Sequence, residues 1–186
     1  MNRQNTCLMI FAISVLSISL TSIPDSFATP QILMEKGVGN NLECEEKCYR
    51  PQTSYVAVNE RIITTNLDIL PHTISSGTLS DDKVGLIFET GLLPQSASFE
   101  ISVDTAGEYP YFCMLHPWMK GTLNVVDFDT QDLKSGNVKI ISEKLGVSEA
   151  SVKPHLVDAF RLFVDNKNAD VTVSDFITAV MWYENK

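Results

Sequence analysis

The fold class this chain predicts is an all-β sandwich or barrel with a small C-terminal α-helical appendage, and three observations point to it. Between Thr53 and Asp127, short β-branched runs recur, each broken by Gly, Pro or Asp turn signals. In SFEISVD, Phe99, Ile101 and Val103 alternate with Ser98, Glu100, Ser102 and Asp104, which is the period of a half-buried strand. Beyond Phe128 the apolar period lengthens to that of a helix, with Leu156, Phe160, Phe163 and Val164 at i, i+4, i+7 and i+8.

Taken in order, the first 28 residues predict an export signal. Arg3 gives the positive start, CLMIFAISVLSISL the apolar run, and small residues Ser26 and Ala28 the cleavage site. The apolar run is shorter than the roughly 20 residues of a membrane span and is followed by Pro24 and Asp25. The mature chain is therefore expected to lack a transmembrane span and to be secreted or held at the cell surface, where disulfides persist. QILMEKG predicts an edge strand. SYVAVNE, RIITTNLD, HTISSG, VGLIFETG, SFEISVD, EYPYFC and GTLNVVDF predict the remaining strands, in antiparallel arrangement. No internal repeat is visible.

These changes of pattern divide the chain into a leader (1–28), a β domain (29–128) and a helical appendage (129–186). Within the appendage, QDLKSGNVKIISEKLG predicts a weak helix. TVSDFITAVMWYEN places Phe176, Ile177, Val180 and Met181 on one face, and Thr172 with Asp175 resembles a capping box. Asn166, Asn168 and Asp170 have calcium-loop spacing. Val171 replaces the turn glycine and Ile177 the closing glutamate, so an ordinary polar connection is expected instead.

The 186 residues suffice for one domain and an appendage, or for two small domains. A formal charge of −9 argues against nucleic acid and against anionic membranes, and favours a partner with a basic docking surface. Removing the leader takes away one Arg and one Asp and leaves that charge unchanged.

Cys44, Cys48 and Cys113 remain after the leader. In CEEKC the first two are close enough to pair, and a local disulfide is the expectation in an oxidising compartment. The alternative is a thiol metal site, which belongs on a βαβ framework that this chain does not show. Cys113 is left over and needs a use.

The stretch YPYFCMLHPWMKG supplies one, because Cys113, His116 and Met119 fall within seven residues between two strand-like runs. His72 lies upstream in the same β region. Two imidazoles, one thiolate and a weak thioether form the donor set of a blue-copper electron-transfer site. A structural zinc site would need four Cys or His ligands, and no nucleophile–base pairing is evident around Cys113. With His72 and His116 engaged, only His155 remains, too few for the histidine-rich centres of a copper enzyme. The chain is therefore expected not to be an enzyme.

YFCMLHPWMKGTLNV resembles the copper loop of the cupredoxin (plastocyanin/azurin) family. Its short Cys-x-x-His-x-x-Met spacing is most similar to amicyanin-like and secreted archaeal members. ITTNLDILPHTISSG is similar to the segment carrying the family's first histidine, and FEISVDTAGEYPYFC to the strand–turn–strand leading into the cysteine. The resemblance covers residues 42–127. It implies a Greek-key sandwich and one type 1 copper ion, Cu(I)/Cu(II), held by His72, Cys113, His116 and Met119. It also implies an electron-transfer surface at Leu115, His116, Pro117 and Trp118, and single-electron transport between extracytoplasmic redox proteins. Copper storage or delivery is the alternative role. Thr73 stands where many relatives carry an Asn hydrogen-bonded across the site, so that clamp is expected to be made differently here.

Intact-mass measurement on protein exported by its host should show a chain beginning after Ala28. A mature chain still containing Cys7 would contradict the leader reading.

Overall fold

Alternation along the strands decides which faces meet. In β4 (Ile62–Asn66), Ile62, Thr64 and Asn66 are buried while Ile63 and Thr65 are half-buried. In β8 (Lys120–Val126), Gly121, Leu123 and Val125 are buried. The computed structural model describes residues 29–44, 47–128, 130–156 and 173–184. The leader, the calcium-like loop, Thr172, and Phe160, Phe163 and Val164 lie outside the described residues.

Two four-stranded sheets result. The first runs β2 (Tyr49–Arg50), β1 (Gln31–Met34), β4, β6 (Ser98–Ile101). The second runs β3 (Thr53–Ala57), β8, β7 (Gly107–Phe112), β5 (Ser75–Ser76). Ile32, Met34, Ile62 and Ile101 of the first sheet share one buried cluster with Val56, Tyr111, Leu123 and Val125 of the second.

The sandwich is as predicted, but its pairing is mixed. β1 runs parallel to β4 and β3 runs parallel to β8, because in each case a strand outside the local hairpins completes the sheet. VGLIFETG forms no strand. It makes only isolated bridges, Ser75 with Glu89 nearby and His72 with Leu93 just beyond it. Gly85 and Gly91 take positive φ there, and the Ser76 hydroxyl accepts the N–H groups of Ile87 and Phe88. Phe99 shares the face of Ile101, but on the edge strand β6 it stays 42% exposed.

The weak helix of the appendage divides into α1 (Thr130–Ser135) and α2 (Val138–Leu145). Gly136 takes a left-handed φ between them, and Asn137 caps α2 by accepting from the Ile140 N–H. Residues 149–156 are helical (α3), and α4 spans Val173–Glu184. These helices build a second buried cluster around Phe128, Ile141, Val152, Phe176 and Ile177, against which Tyr55, Ala57 and Val126 pack. The appendage thus covers the outer face of β3 and β8. The Ser174 hydroxyl donates to the Tyr55 carbonyl there at 2.9 Å. Among the described residues no helix is long and apolar enough to cross a membrane.

Gly121 on β8 stands opposite Tyr111 on β7, and the Tyr111 ring lies directly over it. Tyr111 is 1% exposed and edge-packed on Tyr49, which restricts its movement. Gly121→Ala should cost about 1–3 kcal/mol of stability through overpacking, read as a lowered urea midpoint. An unchanged midpoint would mean that the ring relaxes freely.

Candidate metal centre

The donors come from two segments, one crossing from the first sheet to the second and one joining β7 to β8 within the second. After β4 the chain leaves the first sheet for β5 in the second. Asn66 organises this crossing, its amide donating to the Leu70 and Leu93 carbonyls and its oxygen accepting the Asp68 N–H. His72 then exchanges both backbone hydrogen bonds with Leu93, and β5 pairs with β7. This sets His72 and Thr73 against the end of β7, where Cys113 follows.

From Cys113 onward the chain makes two successive tight turns. The His116 N–H donates to the Cys113 carbonyl at 3.2 Å and the Met119 N–H to the His116 carbonyl at 2.9 Å. The Cys113 N–H closes the loop on the Met119 carbonyl at 3.1 Å. The three-residue spacing read in the sequence is therefore the spacing of hydrogen-bonded turns.

Three donor atoms converge. His72 Nδ1 lies 3.7 Å from Cys113 Sγ, His116 Nδ1 3.6 Å from the same sulfur, and the two Nδ1 atoms are 3.0 Å apart. The point equidistant from all three is about 2.0 Å from each, the length of a metal–imidazole bond and a little inside a metal–thiolate one. The triangle therefore fits a transition-metal ion without rearrangement. His72 and Cys113 are fully buried and His116 is half-buried. Met119 is fully buried in the same core cluster as Cys113. Among the described residues this is the one cluster of three His, Cys or acidic side chains able to share an ion.

Electrostatics prepare the donors. Burial pushes the Cys113 thiol up, but the His72 ring and the N–H groups of Thr73, His116 and Leu115 outweigh it and bring it below its ordinary value. Burial and the neighbouring His72 lower His116, which keeps its ring neutral. His72 is raised despite burial, by Cys113 and Asp68. Cys44 and Cys48 form the expected disulfide, which leaves Cys113 free for this role.

Thr73 makes the cross-site clamp in its own way. Its N–H donates to Cys113 Sγ at 3.3 Å, and its hydroxyl accepts the Met114 N–H at 2.9 Å while bonding the Ser75 hydroxyl. On the outer side, Met114 and Leu115 are exposed by 56% and 48%. Trp118 is half-buried, edge-packed on the His116 ring, and its indole N–H donates to the Val38 carbonyl.

Sequence reasoning missed Asp68. This carboxylate is 2% exposed, and its Oδ2 lies 3.0 Å from His72 Nε2. Its signal was present as a lone acid in the apolar stretch NLDILPH, four residues before the histidine. The glycines that help hold it, Gly37 and Gly39, gave no comparable sign.

No protein-family model matches the chain, and no curated protein matches it either. Solved structures do. A purple cupredoxin from Nitrosopumilus maritimus is 30% identical over 52% of this chain and 98% of its own, with a TM-score of 0.45. An amicyanin variant in its Cu(I) form is 15% identical over 52% and 81%, with a TM-score of 0.40. A copper-containing nitrite reductase from Thermus scotoductus is 20% identical over 52% of this chain but 22% of its own, with a TM-score of 0.39. The last two are too distant to bear on chemistry.

Burial raises the Asp68 carboxyl, but the N–H groups of Gly39 and Gly37, the His72 ring and the Ile69 N–H outweigh it, holding it at about 2 against an ordinary 3.8. The folded chain thus binds this proton more weakly than the unfolded chain. The stability Asp68 contributes is complete above about pH 5 and is lost as pH falls toward 2. In the metal-free chain the urea midpoint should hold from pH 7 to 5 and fall steeply between 4 and 2. In Asp68→Asn that fall should be shallower.

Proposed function

The chain belongs to the cupredoxins, and from that membership we propose that it is a type 1 copper protein carrying single electrons between redox partners outside the cytoplasm. The observation that carries this reading is the convergence of one thiol sulfur and two imidazole Nδ1 atoms on a site sized for one metal ion.

In this reading His72, Cys113 and His116 would be the strong ligands and Met119 a weak one. Copper supplies a one-electron Cu(II)/Cu(I) couple in such a donor set. The protein's contribution is rigidity. The Cys113–Met119 loop is closed by three backbone hydrogen bonds, and the Thr73 N–H pins the sulfur, so the donors hold one geometry in both oxidation states. Thr73 and the buried core around Cys113 and Met119 keep water from the inner side.

The electron leaves through His116, the ligand that is not fully buried. Exposed Met114 and Leu115 with half-buried Pro117 and Trp118 form an apolar rim around it, suited to close docking of a partner. The chain's net charge of −9 favours partners with a basic margin around their own docking patch. Residues 29–128 form the copper domain and 129–186 an appendage that shields β3 and β8. The leader directs export.

The cupric protein should be intensely blue and cycle reversibly on an electrode. Cys113→Ala should abolish the colour, because the visible band arises from the thiolate, and Met119→Gln should lower the potential with copper retained. Leu115→Glu should slow electron exchange with a partner several-fold and leave the spectrum unchanged. It is a cleaner probe than Trp118, whose indole is tied to Val38. A colourless protein that holds only cuprous ion would replace the carrier reading with storage or delivery.

A further inference from the structure

Beyond the donor triangle, the most densely bonded side chain near the site is Asp68. Its Oδ1 accepts the N–H groups of Gly37 at 2.9 Å and Ile69 at 2.7 Å. Its Oδ2 accepts the Gly39 N–H at 2.9 Å and faces His72 Nε2 at 3.0 Å. All four acceptor positions of the carboxylate thus meet donors, and among the described residues His72 is its ion-pair partner.

We propose that Asp68 is a positioning residue for the copper site, fixing the His72 tautomer and joining the loop 37–44, tied at Cys44 by the disulfide, to the metal's potential. The inference rests on the copper-carrier reading of the site. An ionised carboxylate has no proton to give, so His72 Nε2 must carry the hydrogen of this pair. Holding a metal, the His72 ring would be neutral and have only one such hydrogen. His72 Nδ1 is therefore left as a lone pair, aimed at Cys113 Sγ and His116 Nδ1. The same bond fixes the ring plane and strengthens the imidazole as a donor.

The carboxylate is itself held by a loop built for the purpose. A Cβ on Gly39 would come within 3.0 Å of His72 Cε1 and 2.8 Å of Leu70 Cδ1, so a larger residue there would press on this ring. Gly39 lies within the 3₁₀ turn Val38–Asn40, and the Asn41 and Cys44 N–H groups continue the chain of turns to the Cys44–Cys48 disulfide. The Trp118 indole ties the same loop, through the Val38 carbonyl, to the segment carrying Cys113 and His116. The loop therefore bonds both donor-bearing segments at once. A buried negative charge one imidazole away from the ion favours the cupric state, and its removal should raise the potential.

Asp68→Asn is the direct test. An amide offers one acceptor oxygen and two N–H donors to the four donors that meet Asp68. Cupric affinity should fall about ten- to hundred-fold. Each tenfold loss beyond the loss in cuprous affinity raises the potential by about 59 mV. Asp68→Glu keeps the charge and should sit nearer the parent potential, an outcome that a merely space-filling role would not produce. A measurement on the unaltered chain needs no variant to fold. In the cuprous protein, ¹⁵N NMR should find the His72 Nε2 hydrogen exchanging with water at least tenfold more slowly than that of His116. A potential unmoved in Asp68→Asn, or equal exchange at the two rings, would overturn the proposal while leaving the copper reading intact. A parent chain that takes up copper without a visible band would reject the carrier reading, and one that takes up no copper would reject both.

Discussion

Two residue pairs between β5 and β7, Ser75 opposite Phe112 and Ser76 opposite Tyr111, hold together the segments that carry every proposed donor. His72 lies three residues before the first pair, and Cys113 directly follows it on the other strand. The pairing is short because the chain has just crossed from one sheet to the other. A crossing segment has backbone groups that no ladder satisfies, and leaving them unpaired in the interior would be costly. Side chains meet that need. Asn66 serves two carbonyls and one N–H, and Asp68 serves three N–H groups. Structure and site therefore share the same residues, so the crossing and the centre stand or fall together.

The electrostatic order across the site follows from that arrangement. A carboxylate, an imidazole, a thiol with lowered pKa and a second imidazole stand in sequence across the site. Each is oriented by backbone N–H groups or by its neighbour, and none depends on a flexible cationic side chain. Such an array reorganises little when the charge at its centre changes, because its dipoles are fixed by turns and strand ends. The half-buried ring of His116 is the point at which this rigid interior meets solvent.

The appendage changes the character of the second sheet. Tyr55, Ala57 and Val126 would lie on an open outer face, but they pack, half-buried, against a second core that includes Phe128 and Phe176, whose rings stack at 5.8 Å. β3 and β8 are thereby covered on both sides, which suits a parallel pair better than a face open to water. The stretch 84–91 shows the opposite case. Its apolar residues suggested a strand, yet Leu86 and Ile87 remain exposed, because glycines with positive φ break the extended path and Ser76 takes up its N–H groups.

By itself the sequence determined whatever depends on local spacing. The strand periods, the change to helical period after Phe128, the Cys44–Cys48 pairing and the Cys113–His116–Met119 loop all rest on residues within a few positions of one another. There, turn geometry and strand pleat leave few alternatives. His72 was legible too, as a donor type missing from the loop. Tertiary structure decided the rest. The parallel register of β1 with β4 joins distant segments, and no local period distinguishes it from an antiparallel one. Asp68 could be read as any polar residue in a turn until the loop carrying Gly37 and Gly39 was laid over it, 29 to 31 positions away in the chain. A carboxylate's role is set by the donors that surround it, and those donors are backbone N–H groups, which every sequence carries and only a fold can aim.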